Sequence, residues 1–218
     1  MKYDMKLLYI GASATLLAFA TAVAHAESAN SKTYDLEGFT GIKASAGISV
    51  AFEQADDYSV VASFKDADEN DIKVRIDGDV LKISFKNSIG NNNRKRRVNV
   101  AVKGPDLELA RATSGASLRV SAVNVDDIKL KSDSGGSLKI SGTCNAATAK
   151  VSSGGSVNAK GLECQSVTAG ASSGGSFSGH ASDYGKGKGS SGGSITIYGN
   201  PETKKKNKSW SGGSVSFP

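Results

Sequence analysis

The chain has 218 residues and a net charge of +6, from 27 Lys and Arg against 21 Asp and Glu. Aromatic residues make up 6% and glycines number 26, which excludes a thick core of large side chains and favours thin layers of small aliphatic ones. A moderately basic balance is compatible with anionic partners and with plain solubility, and it selects neither.

Lys2 and Lys6 precede an apolar run from Leu7 to Val23, and Ala24-His25-Ala26 closes it with the small-residue pattern that signal peptidase reads. This predicts a signal peptide over 1–26, cut after Ala26. The competing reading is a retained membrane anchor, but Gly11, Ser13 and Thr15 interrupt the run and no stop-transfer pattern follows. No cysteine stands near the cleavage site for lipid attachment, and no later segment reads as a transmembrane helix. The mature chain is therefore expected outside the cytoplasm, in the periplasm, at the cell surface or secreted.

Residues 27–103 read as an N-terminal β region. Ile72, Val74 and Ile76 alternate with polar residues, and Asp77-Gly78 then turns the chain into Val80 to Phe85, which predicts a β-hairpin. Val98, Val100 and Val102 form another alternating strand, ended by Gly104-Pro105. Asp66, Asp68, Asn70 and Asp77 resemble a calcium loop. Asp71 stands where that loop needs glycine, however, and the last ligand is Asp rather than Glu, so a solvated turn is the better reading. No stretch outside the signal peptide carries helical periodicity.

Residues 104–218 repeat. A four-residue turn recurs as Ser114-Gly115-Ala116-Ser117, then as Ser-Gly-Gly-Ser at Ser134, Ser153, Ser173, Ser191 and Ser211. Its first glycines, Gly115, Gly135, Gly154, Gly174, Gly192 and Gly212, lie 20, 19, 20, 18 and 20 residues apart. Such a period marks a solenoid. The residue after each turn is apolar (Leu118, Leu138, Val157, Phe177, Ile195, Val215), the next is never aliphatic, and the alternation means a strand. Ile128 with Leu130, Ala147 with Ala149, and Val167 with Ala169 mark a second inward-facing strand before the turn. A flexible Gly/Ser linker would not hold an apolar residue at one offset six times. The expected fold is all-β: a right-handed parallel β-helix of coils of about 20 residues, each with two strands, and with N-terminal strands and hairpins packed on it. The turn glycines are expected to take positive φ and to leave room for the adjoining coil.

Cys144 and Cys164 fall at nearly the same offset in successive coils, 8 and 9 residues past the second turn glycine. Neighbouring coils would bring their Cα atoms to ~5 Å, within disulfide range, and export favours the bond. Two free buried thiols are the alternative. His180 alone adds no metal set, and no cofactor is expected. Four residues before the first turn glycine runs a basic column, Arg111, Lys131, Lys150, Lys188 and Lys208, interrupted by Gly170. Arg94-Lys95-Arg96-Arg97 and Lys204-Lys205-Lys206 add basic loops. The column reads as a surface for anionic polysaccharide or lipopolysaccharide, or as a solvated face that blocks edge-to-edge association. Nucleic acid is a poor partner for an exported chain. At the far end Trp210, Phe217 and Pro218, with Tyr198 one coil below, read as a cap or as a patch through which copies stack into a homo-oligomer.

Phe39-Thr40-Gly41-Ile42, Gly47-Ile48-Ser49-Val50, the Asp77–Ile83 hairpin and the Ser-Gly-Gly-Ser coils together resemble the head GIN domain family, from about Thr33 to Pro218. The tripeptide that names the family stands here as Gly47-Ile48-Ser49, with serine for asparagine. The resemblance implies the head of an auto-transporter adhesin and carries over no catalytic residue, and a chain of this length has no room for the auto-transporter pore.

The expected function is that of an exported, non-enzymatic, adhesin-like protein of the cell envelope or surface that binds a glycan or envelope component. A structural or self-associating envelope protein is the alternative. A polysaccharide-degrading enzyme fits less well, because Asp126, Asp127, Glu163 and Asp183 look scattered and no Ser has a His partner.

Overall fold

The computed structural model describes residues 30–65, 67–86, 97–207 and 211–218. The expected signal peptide, Asp66, Arg94, Lys95, Arg96, Lys208 and Trp210 lie outside them. The strands in chain order are β1 (Asn30–Tyr34), β2 (Gly41–Ser45), β3 (Ser49–Gln54), β4 (Ser59–Lys65), β5 (Ile72–Asp77), β6 (Val80–Phe85), β7 (Arg97–Gly104), β8 (Leu109–Thr113), β9 (Ser117–Asp133), β10 (Ser137–Val151), β11 (Ser156–Ala171), β12 (Ser176–Gly189), β13 (Ser194–Tyr198), β14 (Thr203–Asn207) and β15 (Ser214–Ser216). The one helical piece among the described residues is a 3-10 turn, Glu69–Asp71. It uses some of the residues of the calcium-loop resemblance: Asp68 accepts from the Asn70 N–H and Asp71 reaches back to the Asp68 N–H.

From β8 onward the strands pair in parallel as a solenoid of about five turns. Each coil carries three inward-facing runs, not the two expected. In β9 the buried residues are Leu118 and Val120, then Val123 and Val125, then Ile128, Leu130 and Ser132. Adjacent exposed pairs at 121–122 and 126–127 break the alternation, and the chain turns a corner at each. The middle run shrinks to Cys144 in β10 and Ala181 in β12, too little to register as a strand in the sequence alone. The three runs define three outer faces, named here first, second and third in chain order.

The third corner is the repeated turn. Asp133 accepts from Gly136 N–H at 3.0 Å, and the two residues between, Ser134 and Gly135, have φ of 51° and 73°. Positive φ at both central positions makes this a type I′ turn. The turn serine thus shares the left-handed backbone that the sequence had suggested for glycine alone. The second glycine has a different role. A Cβ on Gly155 would stand 2.6 Å from the carbonyl carbon and oxygen of Ser132, whereas one on Gly154 would meet nothing within 4 Å. Room for the adjoining coil is therefore made by the second glycine of the turn.

The N-terminal strands are layers of the same stack. β2 and β3, joined by a turn in which Ala46 and Gly47 have φ of 59° and 77°, form a coil like those that follow. β2 lies parallel between β6 and β8, and β3 parallel between β7 and β9. The expected hairpin is present, with Asp77 opposite Val80. β4 runs antiparallel to β7, β1 to β4 and β5 to β6, so this end of the solenoid carries antiparallel strands on its parallel layers.

At the other end, β12 has Gly185, Gly187 and Gly189 at inward positions held in β11 by Val167, Ala169 and Ala171. Phe217 and Val215 fill the vacated space. Tyr198, one coil below, takes part in a different contact. Its ring lies under the Lys160 ammonium, 4.7 Å away.

Candidate ligand-binding face

In-register pairing stacks equivalent side chains into columns, one per layer of ~4.8 Å. On the third face the register runs Lys82–Lys43–Arg111–Lys131–Lys150–Gly170–Lys188. Inward neighbours on either side, such as Ala110 and Ala112 or Leu130 and Ser132, are buried, so alternation turns the basic side chains outward. Asn207 occupies the next layer opposite Lys188, the place expected for Lys208. Arg75 continues the row at the N-terminal side, opposite Lys82. A second column two residues upstream holds Lys129, Thr148, Thr168, Lys186 and Lys205.

These cations divide into tied and untied. Lys82 and Arg75 both bond Asp77, holding its carboxyl below the usual range, with the Lys82 hydrogen bond the larger cause. Arg111 bonds Asp133 at 2.9 Å, and the Thr113 hydroxyl donates to the same carboxylate. The Thr113 bond is the largest cause of the lowered Asp133 pKa, opposed by burial and helped by Arg111. Arg111 is thus a tie between neighbouring coils. Lys43, Lys131, Lys150 and Lys188, with Lys129 and Lys186, have no carboxylate partner among the described residues.

Lys43 and Lys82 went unrecognised in the sequence. Lys43 was within reach, since it stands four residues before Gly47 as Arg111 does before Gly115. Lys82 joins only because the hairpin stacks on β2. Arg97 lies outside the column, on β7 opposite Lys65.

The other candidates fall elsewhere. Gly115, Gly135, Gly154, Gly174, Gly192 and Gly212 form the turn column, with φ of 70–75°. Cys144 and Cys164 are in register and joined by a disulfide, with Cα atoms 4.5 Å apart. Asp126 and Asp127, which looked scattered, meet Asp106 and Glu108 around a groove of about 810 Å³ at the corner between the second and third faces. Two of these carboxylates serve the fold, Asp106 accepting from Leu107 N–H and Asp126 from the Asn145 amide, both at 2.7 Å. His180 stacks between Glu163 and Tyr198 on the second face. Among the described residues no group of His, Cys, Asp and Glu could hold a metal ion, and no helix is long and apolar enough to cross a membrane.

The family described as "Putative auto-transporter adhesin, head GIN domain" matches residues 38–201, from the loop before β2 to the loop after β13. The chain belongs to this family. As a head GIN domain it carries Gly47-Ile48-Ser49 at the type I′-like corner of its first coil, so the tripeptide is a turn signature. A crystal structure described as a putative adhesin from Bacteroides fragilis is similar over 86% of this head GIN domain and 96% of that chain, with a TM-score of 0.67 and 17% identity. Another putative adhesin, from Parabacteroides distasonis, covers the same shares at a TM-score of 0.44 and 18% identity. No curated protein matches the sequence significantly.

Proposed function

We propose that this head GIN domain is an exported, non-enzymatic, adhesin-like protein of the cell envelope or surface whose third face binds an anionic polysaccharide. The supporting observation is the register of Lys43, Arg111, Lys131, Lys150 and Lys188, which gathers cations that lack carboxylate partners, Arg111 excepted, into one row. Like charges in a row repel, and an anionic ligand removes that repulsion while the lysine side chains stay hydrated and adaptable. Export is supported by the leader pattern in 1–26 and by the Cys144–Cys164 disulfide, a bond of oxidising compartments.

Titration of the mature protein with polygalacturonate tests this, with Lys131→Gln/Lys150→Gln as the comparison. Saturable binding that weakens in the double variant and with added salt is the expected result. Binding indifferent to both would reduce the lysines to solvated surface. Release of shorter chains would instead favour a polysaccharide-degrading enzyme. A rise in mass by light scattering without any glycan would favour the self-associating alternative.

A further inference from the structure

The spacing of the row restricts the ligand further. The positions from Lys82 to Lys188 are seven consecutive layers, one residue each, covering about 30 Å along the solenoid axis. One layer is close to the advance of a single sugar ring in an extended chain. Branched or clustered phosphates would engage two or three layers and leave the rest repelling one another.

Resting on the reading above, we infer that the ligand is a linear polyuronate with one carboxylate per ring, lying parallel to the solenoid axis along the third face. The row has a single interruption, Gly170, between Lys150 and Lys188. A Cβ there would have only the Ala149 carbonyl oxygen nearby, at 4.0 Å, so a longer side chain fits without moving the coil. Filling that position completes the row. The flanking column adds Lys129 beside Lys131, at the middle of the row, and Lys186 beside Lys188, at its end, which secures the chain laterally while leaving its direction axial.

Oligogalacturonates of two to ten rings, titrated against wild type, Gly170→Lys and Gly170→Gln, test the inference. Affinity should climb with length until the untied cations Lys43, Lys131, Lys150 and Lys188 are all spanned, at about six rings, and then level. Gly170→Lys should tighten binding of the long oligomers about two- to fivefold and leave the disaccharide unchanged. Gly170→Gln, of similar bulk and no charge, should match wild type. Lys150→Gln, which widens the gap, should weaken the long oligomers more than the short ones. If long polygalacturonate fails to bind even at low salt, the polysaccharide reading itself falls. If it binds through Lys131 and Lys150 but affinity does not rise with length, or if Gly170→Lys equals Gly170→Gln, the axial single-file inference alone is overturned. Equal affinity for a polymer bearing one charge per several rings would overturn it too.

Discussion

Gly187 is without a side chain where Val215 has one: a Cβ on Gly187 would stand 2.4 Å from Val215 Cγ1. The same exchange joins Gly185 to Phe217, at 2.5 Å. The last full coil is hollowed, and the end of the chain, with β15 stacked in parallel on β13, fills it with Val215 and Phe217.

Gly187→Ala should therefore overpack the end of the core and expel β15, at a cost of about 1–3 kcal/mol. Phe217→Ala should cost a similar amount by leaving the hollow empty, since this ring is only partly buried. Thermal unfolding and proteolysis of the C-terminal residues measure both. A Gly187→Ala protein with wild-type melting and an intact C-terminus would mean that β15 does not plug the core.

The two turn glycines should respond differently to alanine. Gly154→Ala meets open space and carries only the strain of a positive φ, about 1–2 kcal/mol. Gly155→Ala pushes a carbon into the Ser132 backbone and must force adjoining coils apart, so its loss should be larger, above ~2 kcal/mol. Denaturant melts of the pair decide, and equal losses would contradict the close approach of the second glycine.

Removing the disulfide by Cys144→Ala/Cys164→Ala should cost about 3 kcal/mol, because the bond closes a segment whose ends are 20 residues apart. The flanking pairs Thr143 with Glu163 and Ala146 with Ser166 hold the register independently, so the double variant should still fold. Circular dichroism of the variant should keep its β signal while the denaturation midpoint falls. An unchanged midpoint would mean that the bond adds no effective constraint to the unfolded chain.

Asp133 predicts an acid limit. Its folded-state carboxyl lies below the ordinary value, so the stability it contributes is present above the unfolded pKa of about 3.9 and is lost as pH falls through the depressed folded value. Asp133→Asn should be about 1 kcal/mol less stable near neutrality, and that difference should shrink as pH drops below about 4. Parallel melts at pH 7 and pH 3 check the sign. A gap that widened in acid would reverse the assignment.

The coils from Ser117 onward were legible because each turn leaves an apolar residue at a fixed offset, and periodicity is what a solenoid imprints on its sequence. The second inward-facing run was not, because Cys144 or Ala181 alone makes no pattern. The first coil lacked the tell-tale glycine pair, with Ile48 at the second position. Its continuity with the repeats became visible only through the matched backbone of Ala46-Gly47 and Ser114-Gly115. For the candidate binding face, the offset rule found Arg111, Lys131, Lys150 and Lys188. It could not find Lys82, whose place depends on which strand a hairpin leans against, nor that Asp133 already occupies Arg111.

The coil of β2 and β3 comes first in the chain but sits between layers made later, β6 and β7 on one side and β8 and β9 on the other. A chain made from its N-terminus thus shows residues 41–54 before either neighbour exists. Both sides of that first coil are covered only once the segment through Ser121 has been delivered. Assembly before that point is a waiting game of long-range contacts, and these are slow to close. Past Ser121 each coil lands on a finished template some 20 residues behind it, and growth becomes local. The boundary between the slow and fast regimes of folding therefore falls near Ser121, where the start of β9 has docked on β3, and a nascent chain released just short of it should be the least protected of all lengths.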